Sequence, residues 1–366
     1  MSNASSPTGR DRRIFVGTYT EPEGSTSEGV YVYRMDSSSG KLTFETVKNM
    51  INPSYLEVHP QSGFLYTVNE VQKFEGKSGG GVTALSIDSE TFDSSLLNKQ
   101  PSEGEDPCYI SIDRTGRYAL VANYTSGSLA MLPIGSDGRL GPASQVIRHS
   151  GASIHPVRQS SPHAHCILPD PTNRFVVAVD LGIDKLMIYR MDLAAGQLYE
   201  HAEANLQEGS GPRHLAFHPN GGTAYVICEL NSTLIAYRYD PEAGTFEEMQ
   251  SVRTLPPGYE GRNLCADLHI TPDGKFLYAS NRGHDSLVCF TIAAEDGQLT
   301  LQDPVPSGGR EPRGFAIDPD GKFLLAANQN SNTIVTFLID PAMGQLSRIE
   351  DEVEVPMPVC IKFAQG

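Results

Sequence analysis

The chain has 366 residues, with 28 Lys and Arg against 44 Asp and Glu, and therefore a formal net charge of −16. This balance excludes the basic surface that nucleic-acid binding requires, and no run of about 18 apolar residues predicts a membrane helix. The six cysteines lie within strand-like segments and form no C-x-x-C pair. We therefore expect buried free thiols and a cytoplasmic location.

The chain opens on an incomplete structural unit. Residues 1–12 are predicted to be a disordered tail, and RIFVGTYT from Arg13 and GVYVYRM from Gly29 are predicted strands. Six fuller copies of a unit of roughly fifty residues follow. Each copy has an apolar strand, a turn of the Pro-Asp-Gly type, a second strand ending in an acid or amide, and a third strand. The copies begin at Asn52, Asp106, Ser161, Gly211, Leu264 and Glu311.

A repeat of this length with several strands per copy predicts an all-β fold, a seven-bladed β-propeller with four-stranded antiparallel blades. The first blade combines both chain ends and brings the total to seven. PVCIKF, which starts at Pro358, shares its proline position with the first strands of the copies and is predicted to supply the missing inner strand. Pairing the two ends removes an open sheet edge, so we expect residues 13–366 to form a single domain.

Three longer segments interrupt the repeat, at residues 72–81, 149–161 and 255–263. Long loops in an otherwise tight repeat are candidate functional regions, although surface insertions without a function explain them equally well.

Two positions vary in chemistry from copy to copy. The first is the start of the inner strand, occupied by Ser54, Cys108, His163, Arg213, Ala266, Arg313 and Val359. The second is the end of the next strand, occupied by Tyr19, Glu70, Asn123, Asp180, Glu229, Asn281 and Asn328. The two strands form a hairpin and the inner strands surround the channel, so both sets are expected at one mouth of the channel.

The ionisable members of these two sets define a candidate site. It contains His163, Arg213, Arg313, Glu229 and Glu70, with Arg282 on the same rim. Three arginines at one mouth would form a local anion site in an acidic protein. Each residue could instead pair with a neighbouring carboxylate and join adjacent blades. The acids and amides alone would suit calcium, but the arginines oppose a divalent cation, so we expect no metal.

The motifs around these residues resemble those of the seven-bladed propeller lactonase family. This family includes the bacterial 6-phosphogluconolactonase type and is related to a fungal carboxy-muconate cycloisomerase. The motifs are GTYT at Gly17, VNE at Val68, HPVRQSSPHAH at His155, GPRH at Gly211 and NRG at Asn281. The resemblance implies a catalytic set of one His, two Arg and one Glu. Matched motif by motif, these are His163, Arg213, Arg282 and Glu229.

We add Arg313, Glu70, His165 and Arg158 as candidate substrate-binding residues, although a packing role is an alternative for His165. Lactone hydrolysis requires an activated water, a stabiliser for the oxyanion and a proton for the leaving alkoxide. We expect His163 to be the general base, with Glu229 orienting it or replacing it. Arg213 or Arg282 would stabilise the oxyanion, and Arg313 would bind a phosphate. No cofactor is required.

The expected substrate is a small anionic lactone, most simply 6-phosphogluconolactone of the pentose phosphate pathway. A muconate-type cycloisomerase would use the same cluster on another anionic lactone. A propeller without catalytic activity would bind a partner protein through rim aromatics, and Tyr19 is the single aromatic residue in the two sets.

Overall fold

The computed structural model describes residues 11–364 apart from positions 22, 62, 89, 90 and 92. Most of the predicted tail, residues 1–10, lies outside the described residues, as do residues 365–366. The first strand begins at Arg12, one residue before the expected start of the domain. The described residues contain 31 strands, one 3₁₀ turn at Gln329–Ser331 and no α-helix. Accordingly, no helix in the described part of the chain is long and apolar enough to cross a membrane.

The strands follow one another in seven groups, each of which belongs to one blade. The first group comprises β1 (Arg12–Thr18), β2 (Gly29–Met35) and β3 (Leu42–Asn49). The second comprises β4 (Leu56–Val58), β5 (Phe64–Asn69), β6 (Lys73–Phe74), β7 (Lys77–Ser78), β8 (Gly81–Ile87) and β9 (Ser94–Pro101). The third comprises β10 (Pro107–Ile112), β11 (Tyr118–Asn123), β12 (Ser128–Pro133) and β13 (Gln145–Arg148). The fourth comprises β14 (Ala164–Pro169), β15 (Phe175–Asp180), β16 (Lys185–Asp192) and β17 (Gln197–Asn205).

The remaining strands continue the pattern to the end of the chain. The fifth group comprises β18 (Pro212–Phe217), β19 (Thr223–Cys228), β20 (Thr233–Asp240) and β21 (Thr245–Arg253). The sixth comprises β22 (Leu264–Ile270), β23 (Phe276–Arg282), β24 (Ser286–Ile292), β25 (Leu299–Leu301) and β26 (Val305–Pro306). The seventh comprises β27 (Pro312–Ile317), β28 (Phe323–Asn328), β29 (Thr333–Ile339) and β30 (Leu346–Glu354), and the last strand is β31 (Pro358–Phe363).

These strands form seven antiparallel sheets, which confirms the predicted seven-bladed β-propeller. The last strand joins the first blade as expected: β31 pairs with β1, with Ile14 opposite Phe363 and Val16 opposite Ile361. The insertion at residues 72–81 folds as the small hairpin of β6 and β7, between the second and third strands of blade 2. In blade 6 the outer edge is divided, because β25 and β26 both pair with β24.

The core lies between the faces of neighbouring blades, where the alternating apolar side chains of both sheets are buried. Tyrosines on second strands also connect blades through their hydroxyls. Tyr66 donates to the carbonyl of Gly138 at 2.9 Å, and Tyr225 donates to that of Gly297 at 2.8 Å. Each acceptor lies in the outer hairpin of the next blade, so the bonds fix one blade against another. All six cysteines are buried and unbridged.

Most second strands end on a buried asparagine with a structural role. The side-chain Nδ2 of Asn123 donates to the carbonyl of Ser102 at 3.0 Å, which ties the strand to the segment leading into its blade. The other members of the set are Asn69, Asn281 and Asn328, which donate to Ile51, Thr254 and Ser307. The second variable set of the sequence analysis therefore combined two positions. Tyr19, Glu70 and Glu229 lie one residue beyond the ends of their second strands. The other members of the set lie within their strands, at or next to the last residue: Asn123, Asp180, Asn281 and Asn328.

In blades 3, 4, 5 and 7 a β-bulge at the start of the inner strand leaves one residue unpaired. In blade 5, Pro212 pairs with Cys228 and His214 pairs with Ile227, so Arg213 is the unpaired residue between them. Cys108 and Arg313 occupy the same position in blades 3 and 7.

Blade 4 differs from the prediction at this bulge. Ala164 pairs with Asp180 and Cys166 pairs with Val179, so the unpaired residue is His165. The carbonyl of His163 accepts the amide of Leu181 at 3.0 Å, just as the carbonyl of Gly211 accepts that of Glu229 at 2.7 Å. His163 is therefore the counterpart of Gly211, the residue before the proline. The expectation that His163 starts the inner strand is wrong, because Pro162 lies two residues ahead of the register of the other prolines.

Candidate active site

The mouth at which the inner strands begin contains a chamber of about 250 Å³. It is lined by Glu70, Cys108, Tyr124, Arg158, His165, Glu229, Leu264, Arg282 and Arg313. A recess of about 10 Å³, room for about one water molecule, continues along the channel and adds Arg213, His214 and Asp267 to the lining. The structure thus brings together every sequence-predicted site residue except His163, which lines neither space.

Glu229 is the centre of the positive side of the chamber. Arg282 donates from Nη2 to its Oε2 at 2.7 Å, and Arg158 donates from Nη2 to its Oε1. Arg213 places Nε 3.1 Å from Oε2, without the alignment of a hydrogen bond. One carboxylate therefore contacts three guanidinium groups, and the cluster keeps a net positive charge.

The charges determine the protonation of this cluster. Burial alone would raise the pKa of Glu229, but the positive charges of Arg282, Arg213 and Arg158 hold this pKa at about 2. Burial lowers the pKa of Arg282 to about 10, helped by the charges of Arg213 and Arg313 and opposed by Glu229. At neutral pH Glu229 and Arg282 are therefore both ionised. Glu229 is consequently a poor proton acceptor and a strong anchor for the arginines.

A series of buried hydrogen bonds holds Arg213 in place. Its Nη1 donates to the carbonyl of Ala266 at 2.6 Å and lies 3.2 Å from Nε2 of His214. His214 Nδ1 lies 2.9 Å from Oδ1 of Asp267. A carboxylate can only accept, so Nδ1 of His214 carries the proton and Nε2 is left to accept from Arg213. Asp267 thereby sets the tautomer of His214 that suits Arg213.

The pKa values of this chain agree with that assignment. Burial lowers the pKa of His214 to about 4, reinforced by the charge of Arg213 and opposed by Asp267. Burial alone would raise the pKa of Asp267, but its interactions with His269 and the hydrogen bond from His214 hold this pKa well below its ordinary value. His214 is therefore neutral and Asp267 ionised at pH 7.

His165 is the histidine that faces the chamber. Its Nδ1 lies 3.7 Å from Sγ of Cys108, and within the described part of the chain its Nε2 has no hydrogen-bond partner. Burial lowers the pKa of His165 well below the ordinary value, and the charge of Arg213 adds to this. The imidazole is neutral at pH 7 and has a nitrogen available to accept a proton.

His163, the expected general base, has a different environment. Its ring stacks on that of Tyr124, with the centroids 4.4 Å apart and the planes at 12°. Its Nδ1 donates to the carbonyl of Tyr124 at 2.9 Å, and its backbone amide donates to Asp180 at 2.7 Å. Tyr124 itself lines the chamber, so His163 supports the wall rather than facing the space.

Arg158 reaches the chamber from the insertion at residues 149–161. Its guanidinium contacts Glu229 in blade 5 and the hydroxyl of Tyr124 in blade 3, at 3.2 Å from Nη2. It therefore spans blade 4, which carries His165. Contacts at both ends of the insertion hold it in place: Ser153 donates to Asp184 at 2.6 Å, and Gln159 donates to the carbonyl of Leu181 at 2.9 Å. The Arg158 side chain remains 31% exposed.

Glu70 and Arg313 form the other side of the chamber, and a tyrosine joins them. The hydroxyl of Tyr19 accepts from Nη2 of Arg313 at 2.9 Å. It lies 2.9 Å from both carboxylate oxygens of Glu70, to which it donates. Ser54 donates from Oγ to Oε2 of the same carboxylate.

Several guanidinium nitrogens have no partner among the described residues. They are Nη1 of Arg158, Nη1 of Arg282, and Nε and Nη1 of Arg313. All three side chains line the same chamber, so three cations with unused donors surround one space. Such an arrangement suits an anion with several oxygen atoms. No group of three or more His, Cys, Asp or Glu side chains placed to hold a metal ion occurs within the described ranges.

Two features of the sequence could have located His165 and Tyr124. In each copy the unpaired residue of the inner strand precedes the first turn residue by five positions. Counting back from His218 gives Arg213, from Asp318 gives Arg313, and from Asp170 gives His165. Tyr124 directly follows a strand-ending residue, as Glu229 follows Cys228, and the sequence comparison missed it because it compared Asn123 with Glu229.

The comparisons with known proteins agree with this architecture. Residues 13–363 match the family described as "Lactonase, 7-bladed beta-propeller". A 6-phosphogluconolactonase of Bacillus subtilis is 37% identical over 95% of this chain and 97% of its own length. A 6-phosphogluconolactonase of Formosa agariphila is 35% identical over 83% of this chain and 86% of its own. The solved structure of a periplasmic gluconolactonase of Pseudomonas aeruginosa superposes with a TM-score of 0.91 at 35% identity, covering 97% and 99% of the two chains.

Proposed function

Since this chain belongs to the seven-bladed β-propeller lactonase family, we propose that it hydrolyses 6-phosphogluconolactone to 6-phosphogluconate. The reaction is a step of the pentose phosphate pathway and consumes one water molecule. Relatives that share about a third of their residues with this chain carry the name of that activity.

The observation that carries the proposal is the set of unused donors on Arg158, Arg282 and Arg313. Guanidinium groups bind phosphate and carboxylate oxygens through paired hydrogen bonds. The chamber of about 250 Å³ lies just below the range of about 300–1,000 Å³ typical for drug-sized ligands, so a single small lactone fits the available space. The net positive lining would also attract an anion into a protein with an overall charge of −16.

In the proposed reaction His165 replaces His163 as the general base. Nε2 of His165 takes a proton from water while the oxygen of that water attacks the lactone carbonyl. The tetrahedral oxyanion is stabilised by the guanidinium of Arg282, a contribution of several kcal/mol for a preorganised donor. When the ring C–O bond breaks, His165 returns the proton to the departing alkoxide, which leaves a free hydroxyl and a carboxylic acid. The acid then releases its proton to solvent and becomes the carboxylate.

Substrate binding would also adjust the basicity of His165. Positive neighbours and burial hold its pKa low in the free protein. A phosphate bound to Arg158 and Arg313 adds negative charge beside the imidazole and shifts the pKa upward, toward the value that suits a base at pH 7. Glu229 keeps Arg282, Arg213 and Arg158 in place. Arg213, which lines the recess, adds positive charge near the oxyanion.

A pH-stat assay with three lactones tests the proposal. Hydrolysis of 6-phosphogluconolactone, corrected for its spontaneous opening, is expected to be accelerated most. Unphosphorylated gluconolactone should be hydrolysed with a higher KM, and a carboxylated muconolactone should react slowest. A preference for the muconolactone would overturn the assignment in favour of a cycloisomerase, and an absence of acceleration for all three would contradict a lactonase.

We also propose the cytoplasm as the compartment. Six buried free thiols favour a reducing environment. One structural relative is named periplasmic, so the assignment needs its own test. Cell fractionation of the producing organism, with antibody detection, should find the protein with cytoplasmic markers, and recovery with periplasmic markers would contradict it.

A further inference from the structure

The two carboxylates of the chamber have opposite surroundings. Glu229 contacts three arginines, whereas the partners of Glu70 are the hydroxyls of Tyr19 and Ser54. No Lys, Arg or His nitrogen in the described part of the chain forms an ion pair with Glu70. The nearest cation in this network, Arg313, reaches it through the Tyr19 hydroxyl. On one side of the chamber the carboxylate therefore contacts cations directly, and on the other side it contacts hydroxyls, with Arg313 beyond the Tyr19 hydroxyl.

Glu70 has capacity for a further hydrogen bond. A carboxylate offers about four acceptor positions, and the described donors are the Tyr19 hydroxyl, shared by both oxygens, and the Ser54 hydroxyl. Glu70 lines both the chamber and the recess, so the carboxylate borders the space a ligand would occupy. Burial raises its pKa, against the effects of Arg313, Ser54 and Tyr19.

The same environment disfavours a second anion. A ligand carboxylate next to Glu70 would place two negative groups side by side in a water-poor space, where like charges repel strongly. A ligand hydroxyl in the same place would donate to the carboxylate and satisfy it. A site that requires a hydroxyl can reject analogues lacking one, because its buried acceptor is then left without a donor.

We propose that Glu70 determines specificity by accepting a hydrogen bond from a ring hydroxyl of the substrate. The site thereby selects polyhydroxylated sugar lactones over lactones that carry a carboxylate at that end. The inference rests on the proposed lactonase reaction and assigns the recognition of the sugar, as distinct from its phosphate, to the side of the chamber formed by Glu70, Ser54 and Tyr19.

A set of monodeoxy analogues of 6-phosphogluconolactone tests the inference in wild type, Glu70→Gln and Glu70→Met. For the wild type, removal of the recognised hydroxyl is expected to lower kcat/KM about 10- to 100-fold for one analogue. The penalty should shrink to a few-fold in Glu70→Gln, whose amide oxygen is a weaker acceptor, and vanish in Glu70→Met. Glu242→Gln, on the surface, is the matched control and should keep the wild-type pattern.

A second readout uses the carboxylated muconolactone as a competitive inhibitor. Its inhibition constant should fall several-fold in Glu70→Gln, because the repelling charge is gone. Equal kcat/KM for all deoxy analogues in the wild type would overturn the inference, as would the same penalty in wild type and both variants. If the wild type fails to hydrolyse the parent lactone at all, the proposed function itself fails and the inference falls with it, so the two failures are distinguishable.

Discussion

Arg282 donates a 2.7 Å hydrogen bond to Glu229 although both side chains are almost completely buried. Removing one member of such a pair leaves an uncompensated charge away from water, at a cost of about 3–5 kcal/mol. Glu229→Gln should therefore lower the free energy of unfolding by about this amount at pH 7, as well as abolishing most activity. Urea denaturation followed by circular dichroism measures the first effect.

The difference in unfolding free energy between wild type and Glu229→Gln should depend on pH in a defined direction. The pKa of Glu229 is about 2 in the folded protein and 4.5 in the unfolded chain, so its contribution to stability is full above pH 4.5. That contribution disappears as the pH falls from 4.5 toward 2. The difference in unfolding free energy between wild type and Glu229→Gln should shrink over this interval, and a constant difference would contradict the charge network.

His163 and His165, two positions apart in the chain, provide a matched pair of substitutions. His165→Asn should reduce kcat about 100- to 10,000-fold, the range for loss of a general base. His163→Asn should change kcat by less than a few-fold, because its ring stacks behind Tyr124. Circular dichroism of both variants controls for folding. A large loss in His163→Asn with an active His165→Asn would restore the assignment made from the sequence motif.

Arg158 offers a test of phosphate recognition. Arg158→Ala should raise KM for 6-phosphogluconolactone about 10- to 100-fold, because a charge-assisted hydrogen bond is lost. KM for unphosphorylated gluconolactone should change little. Arg238→Ala removes an exposed arginine from β20, the third strand of blade 5, and controls for overall charge. Equal effects of Arg158→Ala on both substrates would mean that this arginine does not contact phosphate. It would then contact the sugar or hold the insertion at residues 149–161 in place.

The lowered pKa of His214 predicts that the protein loses stability in mild acid. Its pKa is about 4 in the folded protein against 6.5 in the unfolded chain, so folding opposes its protonation. The stability this provides is full above pH 6.5 and is lost as the pH falls toward 4. Between pH 7 and 4.5 the wild type should lose about 2 kcal/mol more unfolding free energy than His214→Phe. Parallel losses in the two proteins would show that His214 is already charged in the folded state.

Deletion of residues 358–366 should open the ring. Without β31 the inner edge of β1 has no partner, and exposed edges promote association between chains. Size-exclusion chromatography and thermal unfolding should show aggregation or a much lower Tm. Deletion of residues 1–10, which precede β1, is the control and should leave both measurements unchanged.

The fold could be predicted from the sequence because each blade repeats the same local signals. The turn at residues 318–321 and the turn at residues 218–221 have the same spacing to the strands around them, and the tail strand from Pro358 matches the other inner strands. Arg213 and Glu229 could be located because they occupy positions whose chemistry varies between copies, and Arg282 because it lies on the same rim.

The choice between His163 and His165 depended on register, which motif matching did not determine. Pro162 resembles Pro212, but the bulge in blade 4 falls after Ala164, and a shift of two residues keeps the same side of the strand while moving the position along the channel. The contacts of Arg158 also could not be predicted from a local sequence pattern. Its loop carries no repeat signal, and the contacts with Tyr124 and Glu229 join residues 34 and 71 positions away in the chain.

Tyr19 connects the chamber to the junction of the two chain ends. Its side chain lies between Arg313 and Glu70, and its backbone amide donates to the carbonyl of Met357 at 3.1 Å, one residue before β31 begins. The pocket is therefore completed only once β31 has paired with β1. A chain in which this pairing fails would remain inert toward its substrate, so turnover itself reports that the ring has closed.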